Sequence, residues 1–272
     1  MESHFYFDGQ VLSGSDPVTL PLSSALLYGK GIFTTVAIHD SQPLLWDKHW
    51  ARLEMSAGRL GIDLSEHSEE STTMALHGVI AANGVINGRA RLTFLDLRSS
   101  TLWPVKTARK TALAVMTGET RPIPQRLRLS CSPFTVNSLS PLAGIKSCNY
   151  LESIMAIDEA RTRGSEEAIR LNERGKITGG CMVNVFWLKD DELFTPSLKT
   201  GCLPGTTREY VLENLDCREV EAGIGELRAA DALFLTSAGL GILEVVEFES
   251  RILEPTGHHM TELWPPGQNR ER

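Results

Sequence analysis

Hydrophobic and polar positions alternate in two short segments near the start of the chain, residues 4–7 and 31–38, and each is followed by an Asp-Gly or Asp-Ser turn. Alternation bounded by turns predicts strands. Between residues 45 and 60 the apolar residues recur at helical spacing with charged residues between them, which predicts a helix. The same reasoning predicts further helices over 69–82, 150–163 and 207–215, and strands over 89–97, 111–117, 128–131, 167–172, 182–189 and 192–195.

Residues 118–126 contain two prolines and no apolar periodicity, so we predict a linker there. It divides the chain into a smaller domain, residues 1–117, and a larger domain, residues 127–272, which would carry Lys146. Strands and helices mix without strict βαβ alternation, which indicates an α+β (mixed α/β) fold with two domains.

The composition then narrows the class of protein. Of the 272 residues, 42% are hydrophobic, which is enough to form a core. The formal charge is −7, whereas nucleic-acid-binding proteins carry a basic surface. No run of about 18 apolar residues and no secretion signal is present. The five cysteines are scattered and form no C-x-x-C pair. We therefore expect a cytoplasmic protein without a disulfide framework, and with no nucleic-acid or membrane partner.

Lys146 is the single charged residue between positions 129 and 151. In such small and apolar surroundings a lysine loses hydration, which lowers its pKa and makes the neutral amine available as a nucleophile or base. The alternative is a lysine whose ammonium reaches the surface along its aliphatic stem.

Two turns resemble anion-binding loops. Pro204-Gly205 precedes Thr206, Thr207 and an amphipathic helix, and a predicted strand ends at Thr236-Ser237-Ala238. Free N–H groups at a helix start bind phosphate, although a threonine there is more often an ordinary cap. Named nucleotide-binding and hydrolase motifs are absent, and no His or Cys spacing supports a metal site.

Five segments in this order resemble the class IV aminotransferase family, the fold-type IV enzymes that use pyridoxal 5′-phosphate (PLP), with a fold like that of D-amino-acid aminotransferase. They are YGKGIFTT at 28–35, HWARL at 49–53, GIKSCNY at 144–150, LPGTTR at 203–208 and FLTSA at 234–238. The resemblance covers most of the chain and implies a homodimer with a small-molecule amino substrate and the active site between the two domains.

The resemblance also assigns roles. It makes Lys146 the Schiff-base lysine and the proton shuttle at the substrate carbon. It implies that the cofactor phosphate is held by side chains and backbone of Arg52, Gly205, Thr206, Thr207, Ser237 and Ala238. Tyr150 would lie near the ring hydroxyl or be a buried core tyrosine. Tyr28 and Arg98 are candidates for substrate contact, with a solvent-exposed loop arginine as the alternative for Arg98.

One departure from the family pattern concerns Gly179. The signature E-x-[ST]-x-x-N maps onto residues 179–184, so glycine stands where the family has the glutamate that pairs with the pyridine nitrogen. Lys30 likewise replaces a usual aspartate. Without that glutamate the ring is a weaker electron sink, which harms transamination most, and we expect Gly179→Glu to raise transamination.

Three hypotheses follow from the resemblance. The local sequence at residues 33–35 and 141–146 resembles that of aminodeoxychorismate lyases and favours this activity. Such a lyase releases pyruvate, forms 4-aminobenzoate and belongs to folate biosynthesis. The second is a PLP-dependent transaminase of D- or branched-chain amino acids. The third is a catalytically impaired binding protein that retains the fold.

Overall fold

The computed structural model describes residues 3–19, 22–98, 110–120, 122–123 and 126–266. The chain forms two compact units. The first contains Met1–Arg121 together with Lys146–Asn149, and the second contains Pro122–Ile145 and Tyr150–Arg272. Each unit combines helices with antiparallel or mixed sheet, as the sequence predicted.

The first unit is built on a six-stranded antiparallel sheet in the order β2-β1-β6-β5-β3-β4. Its strands are β1 (His4–Phe7), β2 (Gln10–Ser13), β3 (Gly31–His39), β4 (Gln42–Pro43), β5 (Gly88–Asp96) and β6 (Thr111–Gly118). In β3 nearly every residue is buried, which explains its long apolar run.

Three helices accompany this sheet: α1 (Ser24–Tyr28), α2 (Trp46–Leu60) and α3 (Glu69–Ala82). The predicted α3 is confirmed at the same residues. It begins there because the Ser68 side chain caps its first turn and accepts the Ser71 N–H. Helix α2 packs on β3 and buries His49, Trp50 and Leu53. It ends at Gly61, whose φ of +61° forms a left-handed cap.

The second unit contains two five-stranded sheets, in the orders β12-β11-β10-β13-β14 and β16-β15-β7-β8-β9. Their strands are β7 (Arg128–Cys131), β8 (Glu167–Leu171), β9 (Ile177–Gly180), β10 (Asn184–Lys189), β11 (Glu192–Pro196), β12 (Arg218–Val220), β13 (Ala232–Ser237), β14 (Gly241–Glu244), β15 (Glu247–Phe248) and β16 (Arg251–Ile252). Antiparallel pairing of β10 with β13 places Asn184 opposite Thr236.

The helices of this unit are α4 (Leu151–Thr162), α5 (Thr206–Asn214) and α6 (Ile224–Ala229), with short 3-10 turns at Leu198–Thr200 and His259–Leu263. Its main core gathers apolar residues of both sheets, and Trp187 stacks on Phe194 with ring centroids 5.7 Å apart. None of the helices in the described residues is long and apolar enough to cross a membrane.

Three local differences from the predicted elements have physical causes. The strand predicted from residue 182 begins at Asn184, because a turn in which Gly180 donates to the Val183 carbonyl precedes it. The pattern did not predict α1, whose Leu26 and Leu27 are exposed. The predicted linker overlaps the end of β6 at Gly118, and its residues 121, 124 and 125 lie outside the described residues.

The segment Lys146–Asn149 belongs to the first unit, whereas the sequence placed Lys146 in the larger domain. Backbone pairing explains the difference. Ser147 forms an isolated antiparallel bridge with Ile32. The Phe33 amide donates to the Lys146 carbonyl at 2.9 Å, and the Cys148 amide donates to the Gly31 carbonyl at 2.9 Å. This segment therefore pairs with the start of β3 through backbone hydrogen bonds and extends the edge of the sheet there.

Candidate active site

Lys146 lies against the aromatic face of Phe33. Its Nζ is 4.6 Å from the centroid of the Phe33 ring. The Arg91 guanidinium carbon is 3.6 Å from the same centroid. The β3–β5 register places Phe33 opposite Thr93 and Arg91 opposite Thr35, so Phe33 and Arg91 are diagonal neighbours on one face of the sheet.

The surroundings of Lys146 lower its pKa to about 7. Burial of the ammonium is the largest cause, and the positive charges of Arg52 and Arg91 add to it. A pKa this low makes the neutral amine, which is the form that attacks a carbonyl carbon, accessible at neutral pH. Of the two interpretations drawn from the sequence, the structure supports the desolvated nucleophile.

Arg52 is held from one side by a buried pair of residues. Its Nη2 donates to Thr34 Oγ1 at 2.8 Å, and the same oxygen lies 2.6 Å from His49 Nδ1. Thr34 and His49 are almost completely buried. Burial, followed by the nearby charges of Arg52 and Lys146, holds the pKa of His49 well below its usual value, so its imidazole is neutral.

The structure gives Lys30 a physical explanation. Its Nζ lies 3.1 Å from the Asp96 carboxylate, which is buried and also receives hydrogen bonds from the Arg98 backbone and guanidinium. Burial alone would raise the pKa of Asp96, but the hydrogen bonds from Arg98 and Lys30 outweigh it and hold the pKa below its usual value. A lysine at position 30 therefore neutralises a buried carboxylate.

Of the two predicted substrate residues, Arg98 has a different environment from the one expected. Its guanidinium is engaged by Asp96 and its carbonyl accepts the Ser24 N–H at the start of α1, so it is not a solvent-exposed loop arginine. Tyr28 is the exposed last residue of α1. Besides the predicted Arg52, the arginine whose charge acts on Lys146 is Arg91, which the sequence did not single out.

In the second unit, the segment before α5 depends on Asn184. Its Nδ2 donates to the Leu203 carbonyl at 2.8 Å, and its Oδ1 lies against Gly205. Gly205 is the N-cap of α5, with Thr206 and Thr207 as the first helical residues, both buried. A helix start that presents backbone N–H groups together with threonine hydroxyls is an environment that suits an anion.

Two buried hydroxyls in this unit test whether a phosphate fits. Thr207 Oγ1 and Thr236 Oγ1 have no hydrogen-bond partner among the described residues. Buried polar atoms without partners are costly, and a bound anion with acceptor oxygens would satisfy both. Ser237, the hydroxyl predicted from the sequence, already accepts the Leu240 N–H at 3.1 Å, while Ala238 lies in the turn that follows. The residues present therefore fit a phosphate group, and they add Thr236 to the predicted set.

Gly179 has a backbone that disfavours any other residue. Its φ is +139°, and an added Cβ would lie 3.0 Å from the Val183 carbonyl oxygen. Residue 179 thus has a backbone conformation that L side chains rarely adopt, at the position where the family signature carries glutamate. The structure therefore revises the expectation that Gly179→Glu would simply restore the carboxylate.

A buried carboxylate does lie close to this turn. Glu167 Oε1 accepts the Cys181 N–H at 2.8 Å, and its Oε2 accepts the Met182 N–H at 3.3 Å. Because Glu167 is engaged by these amides, it fixes the turn that follows Gly179–Gly180. Sequence reasoning did not identify Glu167.

Tyr150 is the N-cap of α4 and is partly buried, and it belongs to the second unit although Asn149 belongs to the first. Its predicted position near the cofactor ring hydroxyl stays a prediction.

Within the described part of the chain, no group of three or more His, Cys, Asp or Glu side chains is arranged to hold a metal ion.

Comparison with known proteins gives consistent matches. A family model described as "Amino-transferase class IV" matches residues 31–248. Aminodeoxychorismate lyase of Bacillus subtilis (strain 168) is 29% identical over 252 residues, covering 89% of this chain and 85% of the relative. The branched-chain-amino-acid aminotransferase of Escherichia coli (strain K12) is 26% identical over 259 residues, covering 89% and 84%.

A solved structure agrees with these matches. The branched-chain aminotransferase from Thermoproteus uzoniensis, crystallised with norvaline, is similar to this chain with a TM-score of 0.88. The two are 26% identical, and the match covers 96% of this chain and 93% of the other. This similarity confirms the fold that the sequence predicted.

Proposed function

The chain belongs to the class IV aminotransferase family, and from this premise we propose that it is an aminodeoxychorismate lyase, which releases pyruvate and forms 4-aminobenzoate. Members of the family are PLP-dependent enzymes, so the enzyme class and the cofactor predicted from the sequence are confirmed at the family level.

The proposal keeps the cofactor contacts that the sequence predicted and adds Thr236 to them. Arg52 would bind the phosphate with its guanidinium, and Thr207 and Thr236 would donate their unpartnered hydroxyls. The Ser237 hydroxyl and the backbone N–H groups of Thr206 and Ala238 would complete the set predicted from the sequence. When bound, PLP supplies a conjugated carbonyl and ring that stabilise negative charge at the substrate carbon.

Lys146 would perform the covalent and proton-transfer work. With its pKa lowered to about 7, Nζ is available as a neutral nucleophile. The same Nζ would accept a proton from the substrate carbon and return it to the substrate. The face of Phe33 orients the side chain, and the charges of Arg52 and Arg91 keep Nζ from holding its proton too tightly.

The observation that favours the lyase over a transaminase is the backbone of Gly179. With φ at +139° and the Val183 carbonyl 3.0 Å from the Cβ position, this site carries no carboxylate for the ring nitrogen. Transamination depends most on that carboxylate. An elimination that releases pyruvate is driven by the formation of an aromatic product. It therefore depends less on the ability of the pyridine ring to accept electrons.

Arg91 is our proposal for the residue that binds a substrate carboxylate. It is exposed on β5, it stacks on Phe33, and its charge lowers the pKa of Lys146, so it lies within electrostatic reach of Nζ. Aminodeoxychorismate is a dicarboxylate, and a guanidinium is the side chain best suited to recognise one of its carboxylates.

A transaminase is the second candidate, because branched-chain aminotransferases match the chain over a similar length in both sequence and structure. A catalytically impaired binding protein is the third hypothesis drawn from the sequence. Both remain as outcomes of the experiment.

The experiment has two parts. The purified protein is incubated with PLP, reduced with borohydride and digested, and we expect the cofactor mass on Lys146. The holoenzyme is then given enzymatically made aminodeoxychorismate in one assay and a panel of D- and branched-chain amino acids in the other. We expect 4-aminobenzoate in the first assay and little pyridoxamine phosphate in the second.

Each alternative has a distinct result. Pyridoxamine phosphate without 4-aminobenzoate would support the transaminase. PLP bound on Lys146 with no turnover in either assay would support the binding protein. Protein that takes up no PLP would contradict both enzyme hypotheses.

We also propose that the chain is a homodimer, as the family resemblance implies. Exposed apolar residues on each unit support this. Leu26 and Leu27 lie on α1 of the first unit, and Leu151 and Met155 lie on α4 of the second. Light scattering after gel filtration should give twice the mass of the 29.9 kDa chain, and a monomer would contradict the proposal.

A further inference from the structure

Thr34 joins Arg52 to His49 through one hydroxyl. Thr34 is fully buried on β3, while Arg52 and His49 lie one helical turn apart on α2, which packs on that strand. The Arg52 Nη2 to Thr34 Oγ1 distance is 2.8 Å and the Thr34 Oγ1 to His49 Nδ1 distance is 2.6 Å. All three residues belong to the first unit.

The chemistry of the three groups determines where the protons lie. A guanidinium has donors and no acceptor, so Thr34 Oγ1 accepts from Arg52. The hydroxyl proton then needs an acceptor, and among the described residues Thr34 Oγ1 is hydrogen-bonded to Arg52 and His49 alone. The proton therefore points to His49 Nδ1, and His49 is the neutral tautomer with its proton on Nε2.

This arrangement persists over the pH range in which the protein would work. The pKa of His49 lies well below its usual value because the ring is buried, and because the cations Arg52 and Lys146 face it. Its Nδ1 consequently stays an acceptor. A neutral partner also leaves Arg52 its full positive charge, whereas a carboxylate at position 34 would neutralise it.

We propose that Thr34 and His49 are positioning residues that hold the Arg52 guanidinium in place to bind the cofactor phosphate. The inference rests on the proposed function, since the anion is the phosphate of PLP. Neither residue needs to touch the cofactor. The threonine fixes one nitrogen of the guanidinium, and the histidine fixes the threonine.

The test compares PLP with pyridoxal, which has the same ring and aldehyde but no phosphate. Dissociation constants of both are measured by absorbance titration for wild type, Thr34→Val, Thr34→Ser and Thr72→Val. Thr72 is a matched control, because it is a fully buried threonine of the same unit whose hydroxyl has no partner among the described residues. We expect Thr34→Val to weaken PLP binding about 10-fold, the size of one lost hydrogen bond to a charged group.

Pyridoxal binding should not change in Thr34→Val, Thr34→Ser should bind PLP like wild type, and Thr72→Val should not affect either ligand. Equal weakening of PLP and pyridoxal in Thr34→Val would show general damage to the fold and overturn the inference. Unchanged PLP binding in a folded Thr34→Val protein would overturn it as well.

A second measurement does not depend on the cofactor. Nitrogen-15 NMR of the histidine rings in cofactor-free protein, assigned with a His49→Gln variant, reports the tautomer of His49 directly. We expect the proton on Nε2 in wild type and a shifted Nδ1 resonance in Thr34→Val. A proton on Nδ1 would refute the proposed hydrogen bonds among Arg52, Thr34 and His49 even if PLP binds. Protein that binds no PLP but shows the expected tautomer would refute the proposed function and the positioning role of Thr34 and His49, while leaving the hydrogen-bonded geometry intact.

Discussion

Asn184 and Gly205 are in such close contact that a side chain at position 205 fits only if Asn184 moves. An added Cβ on Gly205 would lie 1.9 Å from Asn184 Oδ1, far inside van der Waals distance. The φ of Gly205 is −73°, so this glycine is required by the close approach of a side chain and not by its backbone conformation. Asn184 thereby fixes the segment from which α5 begins.

Gly205→Ala should therefore displace Asn184 and the start of α5. We expect PLP affinity to fall at least about 10-fold and the free energy of unfolding to fall by about 1–3 kcal/mol, the usual cost of overpacking. Absorbance titration and urea unfolding measure the two effects. In an Asn184→Ala background the added methyl no longer meets Oδ1, so the alanine should cost less there. Equal costs in both backgrounds would contradict the steric explanation.

The lowered pKa of Lys146 predicts a pH-dependent stability. Since its pKa is about 7 in the folded protein and 10.5 is the ordinary value, the unfolded chain binds more protons between these pH values. The free energy of unfolding therefore rises with pH across this window, and the penalty for burying the ammonium is complete below pH 7. Lys146→Met removes that penalty.

We expect cofactor-free Lys146→Met to be more stable than wild type at pH 6, and we expect this advantage to be smaller by about 3 kcal/mol at pH 9.5. Urea unfolding at the two pH values measures it. Lys199→Met, at an exposed lysine of the second unit, is the control and should show no such slope. A difference between wild type and Lys146→Met that does not vary with pH would contradict the lowered pKa.

Lys30→Asp would introduce the residue that the family usually carries and would bring a second carboxylate toward Asp96. The buried Asp96 would lose its contact with Lys30 at 3.1 Å and gain a repulsion. We expect the free energy of unfolding to fall by about 3 kcal/mol. The matched control is Lys110→Asp, which breaks an exposed 3.2 Å pair with Asp8 and should cost no more than about 1 kcal/mol. Similar costs for the two substitutions would contradict the role assigned to Lys30.

Gly179→Glu should not produce an efficient transaminase. Because φ is +139° and the Val183 carbonyl is close, we expect the free energy of unfolding to fall by about 1–3 kcal/mol and pyridoxamine formation to stay low. Gly225→Ala is the control, since its added methyl meets open space on α6 and should cost nothing. A stable Gly179→Glu protein with increased transamination would show that the turn adapts. It would contradict the backbone restriction at Gly179, although it would support the importance of the missing carboxylate.

The sequence predicted most of the elements because their apolar patterns are regular. The residues of α3 and β7 match the prediction at both ends, and the burial of His49, Trp50 and Leu53 matches the spacing in α2. The exposed α1 has no such pattern, since a five-residue helix with exposed leucines does not show an amphipathic period.

The candidate site was predictable where one segment carries the chemistry, as for Lys146 and the start of α5. Contacts between distant segments were not. Thr34 and His49 meet because α2 packs on β3, and Asn184 meets Gly205 across about twenty residues of chain. The φ of Gly179 likewise depends on tertiary structure, so the sequence did not show that a side chain at this position would be strained.

The edge that Lys146–Asn149 adds to β3 also concerns the order in which the protein is made. A ribosome completes the other residues of the first unit at Arg121 and must add 28 more before Asn149 is synthesised. At about 5–20 residues per second, this takes about 1–6 s. For most of that interval the nascent chain already contains Arg52 and its buried partners Thr34 and His49, but Lys146, which lies near them in the finished protein, has not yet been synthesised.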